Sequence, residues 1–145
     1  LTGEISQRFL HFFRGRRFHA NGRMYSLMRK DVLQECFDTG VFLGNDWAIV
    51  LRLASKGKFI RASEGWVVLG TGGMSSGKNA IRMFRKSWLD FFVPLNSLSR
   101  IAMELARDFS IRDKSKLVFH LLKYNLRAFL GQFVLATKSS SWRRS

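Results

Sequence analysis

Cysteine occurs once in these 145 residues, at Cys36, which excludes an internal disulfide. With three scattered histidines, His11, His19 and His120, it offers neither metal-ligand spacing nor a supported nucleophile–base pair. That cysteine usage predicts a reducing, intracellular setting. Acidic residues are scarce, ten against 25 lysines and arginines, and no Asp-x-Asp or Asp-Asp occurs. No uninterrupted apolar run reaches the roughly 20 residues of a spanning helix. The opening Leu1-Thr2-Gly3 has neither a charged nor an apolar signal region, and because the first residue is not methionine we expect Leu1 to be a cut point inside a longer protein. No internal repeat is present.

What the chain does have is 46 % hydrophobic and 14 % aromatic residues in 16.8 kDa, enough for one domain with an apolar core and too little for two. The net charge of +15 is unevenly placed. Residues 1–30 carry a balance of +6 and residues 78–145 one of +10, while residues 31–77 balance at −1. Two basic flanks around a near-neutral centre predict an anionic partner for the flanks and separate work for the middle.

Hydrophobic spacing over residues 4–18, with Phe9, Leu10, Phe12 and Phe13 interrupted by arginines, reads as a short basic helix or a loop. Asn21-Gly22 reads as a turn, Arg23 to Lys30 as a buried strand, and Asp31 as the N-cap of a short helix reaching Phe37. From Asn45 to Lys56 the period is helical, with Trp47, Val50, Leu51 and Ala54 on one side. Asn45 or Asp46 is expected to cap it and Gly57 to stop it as a C′ glycine. Lys58 to Ala62 and Trp66 to Leu69 read as strands, followed by a glycine-rich loop from Gly70 to Gly77. Three helical pieces follow, parted near Pro94-Leu95-Asn96 and near Ser110 to Asp113. Ile81, Phe84, Trp88 and Phe91 carry the first, and Leu98, Ile101, Ala102 and Leu105 the second. The third, from about Ser115 to Ala136, carries Leu117, Val118, Leu121, Leu122, Phe129, Leu130, Phe133 and Val134, broken by Lys123 and Arg127. A helix of that kind can lie in a membrane interface with its basic side towards headgroups. Residues 138–145 read as a disordered tail.

The order of these features resembles the second half of a family 2 glycosyltransferase with the GT-A fold. The residues that carry it are Met24-Tyr25-Ser26-Leu27-Met28-Arg29-Lys30-Asp31, then Phe42-Leu43-Gly44-Asn45-Asp46-Trp47 running on to Arg52-Leu53-Ala54, then Gly57-Lys58-Phe59-Ile60 and Gly72-Gly73-Met74-Ser75. The likeness covers roughly residues 20–78 and lies in the succession of elements. It implies an α/β fold in which residues 1–78 form the acceptor-side part of a GT-A domain, followed by a basic amphipathic helical region over residues 79–137.

The resemblance implies that Asp46 is the catalytic base, accepting the proton of an acceptor hydroxyl as it attacks a nucleotide-sugar with inversion. A carboxylate within hydrogen-bond reach suits that task, because a sugar hydroxyl is a poor nucleophile. The plainer role for Asp46 is the helix cap. Trp47 is implied to line the acceptor site by stacking on a sugar, its plainer role being core. Gly72, Gly73, Met74 and Ser75 are implied to meet the donor phosphates through backbone N–H groups, the alternative being an ordinary turn. Glu64 matches the family's strand glutamate. The chain departs from the family at Leu69-Gly70-Thr71, where an Arg or His often stands, and Gln132 opens no Gln-x-x-Arg-Trp signature.

A divalent metal, Mg or Mn, is implied as cofactor, with its ligands not present in this chain. The implied partners are a nucleotide-sugar donor, a saccharide or lipid-linked acceptor and an anionic membrane surface, at the cytoplasmic face, in cell-surface or extracellular polysaccharide synthesis. The sequence shows no recognised nucleic-acid module, which argues against nucleic acid. A non-catalytic basic domain binding anionic membrane or nucleic acid is the rival from another class.

Overall fold

A computed structural model describes residues 1–14, 26–37, 40–60, 63–64, 84–85 and 87–141, with side chains up to residue 133. Among the described residues the secondary structure is helical: α1 (Ile5–Arg14), α2 (Lys30–Cys36), α3 (Asn45–Lys56), α4 (Leu89–Phe92), α5 (Asn96–Leu105) and α6 (Ile111–Ser141). Helix α3 packs against α1, α2 and α5, and α6 lies across α1 and α5.

The α/β expectation is corrected where it can be followed. Residues 26–29 and 58–60 form no strand. Leu27 is fully exposed, so the segment before α2 has no covered face to hold a strand in register. Phe59 and Leu1 exchange two backbone hydrogen bonds of 3.0 Å, the antiparallel pattern confined to one residue pair. The expected strand at Trp66 to Leu69, the turn at Asn21-Gly22 and most of the first C-terminal helical piece lie outside the described residues. Of that piece α4 is one turn.

The main core gathers Phe9, Leu10, Phe12 and Phe13 of α1, Ala48, Val50, Leu51 and Ala54 of α3, Leu98, Ile101 and Ala102 of α5, and Leu117, Leu121, Tyr124 and Ala128 of α6. Each fully buried Phe or Leu in it contributes about 1.5–3 kcal/mol by leaving water. A smaller cluster of Cys36, Ile49 and Leu53, with Val32 and Leu33 packed on it, lies between α2 and α3. Helix α3 is therefore buried on a wider arc than its Trp47-Val50-Leu51-Ala54 stripe, because α2 covers a second side.

Buried polar groups close the helix ends. Arg8 donates from Nε to the Ala54 carbonyl in the last turn of α3 at 2.7 Å and from its guanidinium to the Gly3 carbonyl. The Tyr124 hydroxyl donates to the Phe13 carbonyl in the last turn of α1 at 3.0 Å. The Ala54 and Phe13 carbonyls are ones that a helix C-terminus leaves without an internal partner. Asn125 accepts from the Leu95 N–H at 2.9 Å and donates to Ser99 Oγ and the Leu121 carbonyl, fixing the start of α5 on α6.

Five helix ends differ from expectation. The N-cap of α3 is Gly44, with Asn45 and Asp46 inside the first turn, and that of α2 is Arg29 instead of Asp31. Gly57 does end α3, yet in an extended conformation rather than the left-handed one. Helix α6 begins at Ile111, where the Ser110 hydroxyl accepts from the Asp113 N–H at 3.2 Å, and its backbone continues to Ser141, into the stretch read as a tail. Residues 142–145 lie outside the described residues.

Candidate functional site

The first turn of α3 carries Asp46, the residue that the resemblance implies as a base. Gly44 holds φ +84°, in the left-handed region that favours glycine, and a Cβ there would stand 3.3 Å from the side chains of Leu95 and Leu98. The glycine thus serves twice, turning the chain into α3 and letting the start of α5 come close. Asn45 and Asp46 follow immediately, and the Ala48 N–H donates to the Gly44 carbonyl at 3.0 Å as the first helical bond.

Asp46 is open to solvent, yet its carboxyl is raised above its ordinary 3.8. Desolvation by the surrounding protein is the main cause, opposed by hydrogen bonds from the Trp47 and Asp46 backbone N–H groups. The direction is informative. An aspartate placed to stabilise a helix N-terminus is held in its charged form and titrates low. Asp46 has donors and a favourable helix end, and still binds its proton more tightly than a free aspartate.

Trp47 is half-buried, with its ring edge-on to Phe12 at 5.4 Å and to Tyr124 at 5.3 Å, and 6.4 Å from Phe13. These contacts fix the first turn of α3 between α1 and α6, so the ring orients the residue before it. Glu64 is exposed in a bend rather than on a strand. Gly72, Gly73, Met74 and Ser75, the implied donor-phosphate loop, lie outside the described residues, so of the sequence-derived site the structure brings together Asp46 and Trp47.

No group of three or more His, Cys, Asp or Glu that could hold a metal ion occurs among the described residues. Burial raises the Cys36 thiol above its ordinary value, disfavouring the thiolate despite Lys56 and Arg52 nearby.

A second surface lies on α6, the helix whose spacing suits a membrane interface. The far side of α6 presents Val118, Phe119, Leu122, Leu126, Leu130 and Phe133 to solvent, and α4 adds Trp88, Leu89 and Phe92. The signal was available, since Leu117, Leu121, Tyr124 and Ala128 already make a complete helical stripe and leave the other apolar residues without a core to enter. No described helix is long and apolar enough to cross a membrane.

No protein-family model, curated protein or solved structure matches this chain.

Proposed function

We propose that this chain forms the acceptor-side part of an inverting, nucleotide-sugar-dependent glycosyltransferase of family 2, with Asp46 as the base. The supporting observation is the position of Asp46, a solvent-accessible carboxylate in the first turn of α3, which Gly44 and the Trp47 ring set against α5, α1 and α6, with desolvation raising its basicity. A stronger base accepts the acceptor proton more readily as the glycosidic bond forms. The succession of motifs over residues 20–78 supports the same reading from the sequence side. Trp47 orients the helix turn that carries the base, and the loop from Gly72 to Ser75 is assigned to the donor side. The GT-A fold belongs to this proposal too, and it requires strands from residues outside those described.

The test is sugar transfer by the product of the complete gene, read as nucleoside diphosphate released from a panel of nucleotide-sugars. Asp46→Asn is expected to lower transfer by about 10²–10⁴-fold, the usual worth of a positioned base. The fold should survive, because a carboxyl whose pKa is raised on folding loses stability as pH rises through that raised value, so the neutral amide removes a cost at pH 7. Undiminished transfer by Asp46→Asn, or no release from any donor by the unaltered protein, would end this reading.

A further inference from the structure

The outer face of α6 is apolar from Val118 to Phe133, about four turns, and apart from Phe133, which meets Phe91 of α4, it stays exposed among the described residues. Val118, Phe119, Leu122, Leu126, Leu130 and Phe133 follow one another at steps of one, three, four, four and three, which keeps them on one side of the helix. Leu122 is 65 % exposed and Leu126 58 %. The opposite side, Leu117, Leu121, Tyr124 and Ala128, already packs in the core, so the outer residues are surplus to folding.

Helix α4 extends this face. Phe91 lies 6.1 Å from the ring of Phe133 and Phe92 stacks 6.2 Å from Phe129. Gln132 donates from Nε2 to the Phe91 carbonyl at 3.0 Å, and the Arg85 guanidinium both reaches Gln132 Oε1 and covers the Phe91 ring at 4.8 Å. This clamp fixes α4 on α6 and leaves Trp88, 77 % exposed, and Phe92 pointing away from the core. Along one flank of the stripe run Arg112, Lys116, Lys123 and Arg127, at steps of four, seven and four.

We propose that this face, the outer side of α6 with the aromatic turn α4, docks on an anionic lipid surface. Charge selects the occupant. A second copy would bring the same +15 and the same basic row to the contact, whereas an anionic bilayer is complementary to both. Nucleic acid would meet the basic row but gain nothing from Leu122, Leu126 and Leu130. An in-plane helix with an apolar face, flanking Lys/Arg and a Trp at headgroup depth fits the bilayer boundary. The proposal does not depend on sugar transfer, and Asp46→Asn should leave docking unchanged.

The experiment is co-sedimentation of the full chain with vesicles of phosphatidylcholine alone or mixed with phosphatidylglycerol, at low and high salt. Binding is expected to the mixed vesicles and to weaken with salt. Leu122→Ser with Leu126→Ser should lower it on the order of tenfold at either salt, since both side chains leave water on docking. Lys123→Gln with Arg127→Gln should lower it about 30-fold at low salt and flatten the salt dependence, following the worth of a cation near an anionic surface. The altered residues are exposed, so an unchanged circular dichroism spectrum certifies the fold. A blue shift of tryptophan emission on binding, lost in Trp88→Phe, places α4 in the interface. Equal binding to both vesicle types, or binding indifferent to the leucine pair, overturns the proposal. So does a dimer that the leucine variant dissociates, or an oligonucleotide bound through the same leucines.

Discussion

The two faces of α6 are both apolar and meet opposite fates. Leu117, Leu121, Tyr124 and Ala128 disappear into the core formed with α1, α3 and α5, while Leu122, Leu126 and Leu130, one or two positions further on, remain in water. Composition cannot separate them. The difference is the set of polar contacts that accompanies the inner face: Tyr124 closes the end of α1 and Asn125 the start of α5, so that rotation of α6 about its axis would orphan the Phe13 carbonyl and the Leu95 N–H together. Those two contacts set which apolar stripe is core and which is left for a partner.

The largest expected effect tests that division directly. Leu117→Ala removes a fully buried side chain and should cost about 2–5 kcal/mol in chemical denaturation. Leu122→Ser should change stability by no more than about 0.5 kcal/mol, as at other exposed sites. Equal costs would mean that the outer face is buried in solution and that the two faces are not distinct. Next comes Asn125→Ala, expected to cost about 1–3 kcal/mol because it leaves the Leu95 N–H at the start of α5 without its acceptor. A negligible loss would show that the apolar contacts alone hold α6 in its rotation.

Much of this arrangement was legible before the structure. Helix α3 was expected from Asn45 to Lys56 and runs over those residues, because its stripe, its acidic first turn and its terminal glycine agree. The face of α5 read from Leu98, Ile101, Ala102 and Leu105 is buried at the first three, while Leu105 is partly buried against the core. The start of α6 was misread because Ser110 to Asp113 looks like a break when scanned for hydrophobicity. The same Ser-x-x-Asp string is a helix cap when scanned for hydrogen bonding. Arg8, Tyr124 and Asn125 escaped notice for a related reason. Periodicity scores them as polar, and only the three-dimensional packing reveals that each meets a helix end that needs a donor or an acceptor. At the candidate site, Asp46 was singled out by its place in the sequence pattern, whereas its raised pKa depends on the protein packed around it. Glycine's role at position 44 was likewise hidden, since the close approach comes from Leu95 and Leu98, some fifty residues away.

His120 lies on α6 between the two faces and gives the smallest and most selective test of them. Its ring stacks 6.4 Å from Phe13 on the inner side and meets Phe119 edge-on at 5.9 Å on the outer side. Its buried Nδ1 has no hydrogen-bond partner among the described residues. Burial lowers its pKa below the ordinary 6.5, and the cations of Lys123 on α6 and Arg14 on α1 add to the effect. The folded protein therefore keeps this imidazole neutral at a pH where the unfolded chain has already taken up the proton. Between the two pKa values the unfolded state binds more protons, so this contribution to stability is intact above pH 6.5 and is lost as pH falls through the depressed value. In His120→Gln that loss should vanish: the difference in melting temperature between the two proteins stays constant above pH 7 and shifts in favour of the variant on acidification towards pH 5. Were the difference to stay flat over that whole range, the ring would be free to protonate in the folded state. The boundary between the inner and outer faces would then lie one side chain deeper, with His120 belonging to the face that water reaches.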